Sequence, residues 1–288
     1  MKFCRYKDND QVKVGAVDKD GKVRDLSEHI ARLDAETLAN TGKMSDLAKV
    51  DVAGLPTVAG NPQLTVPWEG ISQFVCIGLN YGEHAAEGGL PIPEEPVIFL
   101  KGVSAVSGPY DRIVQPRNST KMDWEVELGI VIGKSASYLA EDEADGAIAG
   151  YCVVNDVSER SFQMATSQWT KGKCCPTFGP LGPWLVTADE IDDPQNLPMW
   201  LDVNGVRMQD GNTADMIFGI RRLVSEVSHY MTLNPGDVIA TGTPAGVGFG
   251  KKPNPIWLKP GDVVELGIGG LGVQRQTVVA LNDSGLAR

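Results

Sequence analysis

The stretch "KMDWEVELGIVIG", residues 121–133, decides how the chain reads. Glu125 and Glu127 stand two apart in a run that otherwise holds Trp, Val, Leu and Ile. In an extended strand successive side chains project to opposite faces, so residues i and i+2 share one. Both carboxylates therefore leave the same side, roughly 7 Å apart at Cα, while Val126, Leu128 and Ile130 take the other. Like charges on one strand face repel unless something positive lies between them. Two readings answer this: a solvated face that carries charge, or two carboxylates flanking a cation. The apolar residues on both sides of the pair favour the second.

Similar runs recur after residue 70. "QFVCIGLN", "PVIFLK", "IAGYCVVND", "GPWLVT", "MWLDVNG", "DVIATGTP" and "DVVELGIG" are short, β-branched and bounded by turn residues, as strands are. Asn204-Gly205 marks a hairpin. One amphipathic helix is expected over about 216–231, with Ile220, Leu223, Val224, Val227 and Tyr230 on one stripe. Regular strand–helix alternation is missing, so the expected class is β-rich α+β, not a doubly wound sheet. Residues 10–26 read as a hairpin turning at Asp20-Gly21. "LSEHIARLDAETLA" reads as a short helix with Ser27 as N-cap. Residues 41–68 are small, polar and proline-dotted, and read as a connector. The expected organisation is a small N-terminal β domain with linker over 1–68 and a larger catalytic domain over 69–288.

The chain has 288 residues, enough for a substantial core, with 26 basic against 37 acidic side chains and a formal charge of −11. Such a surface disfavours nucleic acid and anionic membranes as partners. The cysteines, Cys4, Cys76, Cys152, Cys174 and Cys175, are odd in number and lack a Cys-x-x-Cys pair, so neither a disulfide framework nor a zinc site is expected. The start "MKFCRYKDND" lacks the apolar core of a signal peptide, and no apolar run approaches the ~20 residues of a membrane span. A cytoplasmic protein is expected.

Asp156 ends another apolar run, "GYCVVND". With Glu125 and Glu127 it makes an all-oxygen set suited to Mg²⁺, Mn²⁺ or Ca²⁺. In "GLNYGEHAAEGG" His84 and Glu87 are i and i+3, one face of a short helix. A carboxylate beside an imidazole fixes its tautomer and raises its basicity, which suits a general base. A surface histidine with a helical neighbour is the plainer alternative. "NDVSERSFQ" spaces Arg160 and Gln163 four and seven after Asp156, one helical face, and such side chains hold carboxylates or carbonyls; a helix start with surface polar residues reads equally well. "WTKGKCCP" offers Lys171 and Lys173. "ATGTPAGVG" lacks the Gly-Lys-Ser/Thr of a nucleotide loop, though its N–H groups suit a small anion.

Taken together, "GLNYGEHAAE", "EPVIFLK", "DWEVELGIVIG", "VVNDVSERSFQ" and "ATGTPAGVG", in this order over roughly residues 70–275, resemble the fumarylacetoacetate hydrolase family, in its bacterial two-domain form. The resemblance implies a mixed β-sandwich or roll as the catalytic domain and a homodimer or higher homo-oligomer. It implies Mg²⁺ or Mn²⁺ on Glu125, Glu127 and Asp156, and His84 with Glu87 as the water-activating pair on a mobile segment. Arg160, Gln163, Thr243, Tyr81 and Lys173 match positions that contact a keto acid. Lys173 is preferred to Lys171 on spacing, although the family's Lys-Ser-Phe-Asp reads Lys-Cys-Cys-Pro here. The implied reaction is hydrolytic C3–C4 cleavage of a 2,4-diketo acid to pyruvate and a second acid. "SERSFQ…WTKGK" resembles members acting on 2,4-diketo-3-deoxy acids of L-rhamnonate or L-fuconate type, which would give lactate. Alternatives are oxaloacetate decarboxylation, hydroxy-diene-dioate isomerisation, and a non-catalytic metal- or ligand-binding module.

Overall fold

The computed structural model describes residues 1–286. Strand Val126–Ile132 is buried along its whole length. It lies mid-sheet, antiparallel to Ile148–Asn155 on one side and to Val238–Ala240 on the other. The sheet continues through Gly179–Thr187 beyond one neighbour, and through Phe74–Gly78 and the edge strand Val97–Lys101 beyond the other. A strand buried on both faces cannot alternate between core and solvent. Its even positions Val126, Leu128 and Ile130 enter one core with Leu201, Val264 and Leu266 of a second, five-stranded sheet. The odd position Val131 enters another core with Leu26, Leu33 and Trp68 of the N-terminal region. The face alternation read from the sequence holds, and the solvated-face reading is excluded. Three parallel pairings among antiparallel ones make the architecture mixed, as the β-rich α+β class requires.

The N-terminal strands do not form a sheet of their own. Lys2–Asp8, which the sequence reading missed, pairs with Gln11–Val17 and also with Gly179–Thr187, extending the central sheet. The Asp20-Gly21 turn forms, with Gly21 at φ 78. The expected helix from Ser27 does not. Residues 27–33 are turns and bends, and the helix starts at Ala35 behind an Asp34 cap whose side chain accepts the Thr37 N–H. Ser27 is a poor cap here: its hydroxyl is buried without a partner. The expected connector is partly ordered, with helix Thr41–Leu47 and backbone bonds from 63–65 to the first strand.

The amphipathic helix spans Ile220–Tyr230. Ile220, Leu223, Val224 and Val227 are buried as expected, whereas Tyr230 is 66% exposed because the helix ends there and the ring turns out to Glu226. At Asn204-Gly205 both residues have positive φ, 52° and 76°, the two-residue hairpin turn that matches strand twist. Among the described residues no helix is long and apolar enough to cross a membrane.

Asp237 fixes the approach of two central strands. Buried, it accepts the N–H groups of Ser72, Gln73 and Asn234 and the side chains of Ser72 and Gln73. Removing it orphans several donors at once, each costing about 1–3 kcal/mol when buried. Asp237→Ala is expected to lower stability by about 3 kcal/mol or more, read as a lower urea midpoint with an unchanged m-value.

Candidate active site

Three acids project in sequence from the face opposite Val126 and Leu128: Asp123, Glu125 and Glu127. Asp156 joins them because Asn155 pairs with Val126 across the sheet, and its own N–H bonds to the Glu125 carbonyl. All four are buried, Glu125 and Glu127 being 4% and 2% exposed. Glu125, Glu127 and Asp156 can bring one oxygen each within 4.8 Å of one another.

Three cations from three segments answer them. Lys173 bridges Glu125 at 2.5 Å and Asp156 at 2.7 Å. Lys101, the last residue of the edge strand, is paired with the other Asp156 oxygen. Arg160 donates to Asp123 at 2.9 Å, to Glu125 at 2.6 Å and to Gln163 at 3.0 Å. Burial opposes the charge on Lys173, yet Asp156 and Glu125 outweigh it and hold the ammonium well above the ordinary lysine range. Burial would likewise raise the Glu125 carboxyl, but Arg160 and Lys173 pull it well below its ordinary value. Glu127 is the exception. It has no ion-pair partner among the described residues and accepts the Gly242 N–H at 2.9 Å. Burial, with Asp156 and Glu125 beside it, pushes its carboxyl well above the usual range.

Four buried carboxyl groups face three buried cations, and Glu127 is the one left without a counter-ion. The donors are all carboxylate oxygens, which suits a hard divalent ion. The residues therefore fit a hard divalent cation, with Glu125, Glu127 and Asp156 as the residues that could hold it.

Helix Gly82–Gly88 closes over this cluster and stops at Gly89, which takes the left-handed conformation at φ 72. On it, His84 Nδ1 and Glu87 Oε1 are 2.8 Å apart, as the i, i+3 spacing predicts. The other Glu87 oxygen accepts the Gly246 N–H at 3.0 Å. His84, Glu125, Glu127, Asp156, Lys173 and Thr243 line one cavity of about 280 Å³, which Arg160 and Gln163 also reach. Lys171 is exposed, so of the two lysines Lys173 is the one at the site.

Some placements differ from the sequence reading. Residues 156–159 are not helical. The helix covers only Arg160–Gln163, and Arg160 meets Asp156 through shared partners, not by a turn of helix. Tyr81 is buried with its hydroxyl donated to Met199 Sδ at 3.3 Å, and it does not line the cavity. In the Gly-rich loop after Ala240, N–H groups turn to the protein's own carboxylates: Gly242 to Glu127, Gly246 to Glu87, and Gly248 and Phe249 to Asp123. Gly246 has to be glycine, with φ 110 and a Cβ position only 2.1 Å from the Met208 carbonyl. Asp123 and Lys101 were missed. The i+2 rule reaches Asp123 from Glu125, and it places Lys101 on the face of Phe99.

The match to known proteins agrees with this geometry. Residues 73–279 match the family model for the fumarylacetoacetate (FAA) hydrolase C-terminal region. The chain belongs to the fumarylacetoacetate hydrolase family. It is similar to the 2,4-didehydro-3-deoxy-L-rhamnonate hydrolase of Sphingomonas sp. (strain SKA58), 56% identical over 280 residues and 96% of each chain. Among solved structures it resembles fumarylacetoacetate hydrolase from Exiguobacterium antarcticum, with TM-score 0.87, 33% identity and coverage of 97% of this chain and 99% of that one. It also resembles a probable 2-hydroxyhepta-2,4-diene-1,7-dioate isomerase from Mycobacterium abscessus, with TM-score 0.82, 32% identity and coverage of 97% and 99%.

Two outcomes follow from the cluster and its cover. Mg²⁺ or Mn²⁺ added to EDTA-treated protein is expected to raise the Tm, by about 2.7 kcal/mol of stabilisation at a hundredfold excess over Kd. Glu127→Gln is expected to remove most of that shift in calorimetry; an undiminished shift assigns Glu127 a purely structural role. Residues 80–93 are expected to exchange amide hydrogens more slowly once a 2-oxo acid is bound, since their helix is short and glycine-bounded. Equal protection with and without ligand rejects a closing segment.

Proposed function

We propose that the protein is a hydrolase that cleaves the C3–C4 bond of a 2,4-diketo acid, releasing pyruvate and a second carboxylic acid. The observation that carries the reading is His84, held by Glu87 at 2.8 Å, lining one cavity with the carboxylate triad. The Sphingomonas relative is named for 2,4-didehydro-3-deoxy-L-rhamnonate. That compound, or its L-fuconate counterpart, is the substrate we assign, with lactate as the second product.

Glu125, Glu127 and Asp156 would hold a divalent cation, Mg²⁺ or Mn²⁺, which would supply Lewis-acid polarisation of the bound keto acid. The chain's own groups do the rest. Glu87 accepts the Nδ1 proton of His84, which leaves Nε2 with the basic lone pair. Nε2 takes a proton from water as the water oxygen bonds to C4. The C3–C4 bond then breaks and its electron pair passes to C3, giving the enolate of pyruvate. The Lys173 ammonium faces the negative charge that develops on that enolate, where a fixed charge accelerates most. The imidazolium returns its proton to C3, so one water is consumed and both products leave as acids. Arg160 and Gln163 orient the keto-acid end.

Decarboxylation or double-bond shift on the same cluster requires no attacking water, and a double-bond shift would use the His84–Glu87 pair to move a proton between carbons. Product analysis separates the three: pyruvate plus an acid, CO₂ from oxaloacetate, or a shifted double bond. With diketo acid, His84→Ala is expected to lower kcat about 10²–10⁴-fold. Glu87→Gln should cost a similar factor and the double variant little more, because base and orienter act as one unit. Pyruvate release that survives EDTA, or His84→Ala at full rate, rejects the mechanism.

A further inference from the structure

The cavity has two chemically opposed ends. One is the charge cluster. The other is walled by Leu90, Phe99, Met164, Trp169 and Phe249. Phe99 stands at the boundary: its ring lies 5.0 Å from the Lys173 ammonium and meets Trp169 edge to face, with centroids 5.3 Å apart and planes at 68°. Trp169 reaches the wall only because residue 78 is glycine, since a Cβ there would come within 2.5 Å of the indole. Among the described residues no spare cation stands on this wall. The lysine and arginine that line the cavity, Lys173 and Arg160, are already paired with carboxylates. Lys252 stands beside Gly89 and not on the lining.

We infer that Phe99 and Trp169 determine tail specificity: the part of the substrate beyond the scissile carbonyl ends in a methyl group, and tails ending in hydroxymethyl or carboxylate are rejected. The inference rests on the keto-acid reading above, because the head must sit on the charge cluster for the tail to reach this wall. Against the ring faces of Phe99 and Trp169, both half-buried, a hydroxyl gives up part of its water without a replacement partner, and a carboxylate gives up more. An aliphatic end loses nothing and covers apolar surface.

Six-carbon 2-oxo acids test this without turnover, since they lack the 4-keto group. Calorimetric titration of the full chain with Mg²⁺ is to compare 2-oxohexanoate, 6-hydroxy-2-oxohexanoate and 2-oxohexanedioate. The methyl-ended acid is expected to bind at least about tenfold more tightly than the hydroxylated one, and the dioate should bind most weakly. Trp169→Gln and Phe99→Gln should compress that ratio, whereas Trp169→Leu, which keeps the wall apolar, should retain its sign. Equal or tighter binding of the hydroxylated acid or the dioate overturns the inference, as does failure of all three to bind or an unchanged ratio in both Gln variants. A methyl preference with no pyruvate from any 2,4-diketo acid upholds the tail assignment and rejects the hydrolytic reading. Pyruvate release with no tail preference does the reverse.

Discussion

The ammonium of Lys173 lies between two carboxylates that the sheet forces together. Without it Glu125 and Asp156 would face each other with only Arg160 and Lys101 left to offset their desolvation. Lys101 and Arg160 extend the same compensation outward, to Asp156 and to Glu125 and Asp123. The cations come from the edge strand and two short helices, Arg160–Gln163 and Thr170–Lys173, so charge neutralisation also fastens these segments to the central sheet. The compensation is incomplete at Glu127 alone, which is where an incoming positive charge gains most.

The Gly-rich loop after Ala240 works in the same currency. Its backbone N–H groups meet three carboxylates from three places: Glu127 on the central strand, Asp123 at its approach, and Glu87 on the covering helix. Backbone donors carry no net charge, so they hold these anions in place without neutralising them. Glu127 thus keeps no counter-ion among the described residues, and the second oxygen of Glu87 stays on His84.

Much of this was legible from alternation. The i+2 rule put Glu125 and Glu127 on one face and Val126, Leu128 and Ile130 on the other, and the i+3 rule joined His84 to Glu87. Both are short-range geometry fixed by a single element. The same rule reached Asp123 and, through Phe99, Lys101, had it been carried two residues further. What local spacing could not supply was contact across elements. Arg160 meets Asp156 by way of Glu125 and Lys173, which no helical period encodes. Tyr81 sits in the right motif, but its hydroxyl is claimed by Met199, a residue 118 positions away. Ser27 looked like a cap, and Asp34 took the role because the chain between them turns back under Leu26 and Leu33, which are buried in the N-terminal core.

The two oxygens of Glu87 are spoken for by different parts of the molecule, one by His84 and the other by the backbone of Gly246. On the mechanism proposed above, a carboxylate shared in this way would make closure and chemistry a single event. Lifting the covering helix would break the Glu87–Gly246 contact and carry the imidazole away from the charge cluster, so that entering water would find no base. The timing of the reaction would then rest on one side chain, with the histidine poised only while the site is shut.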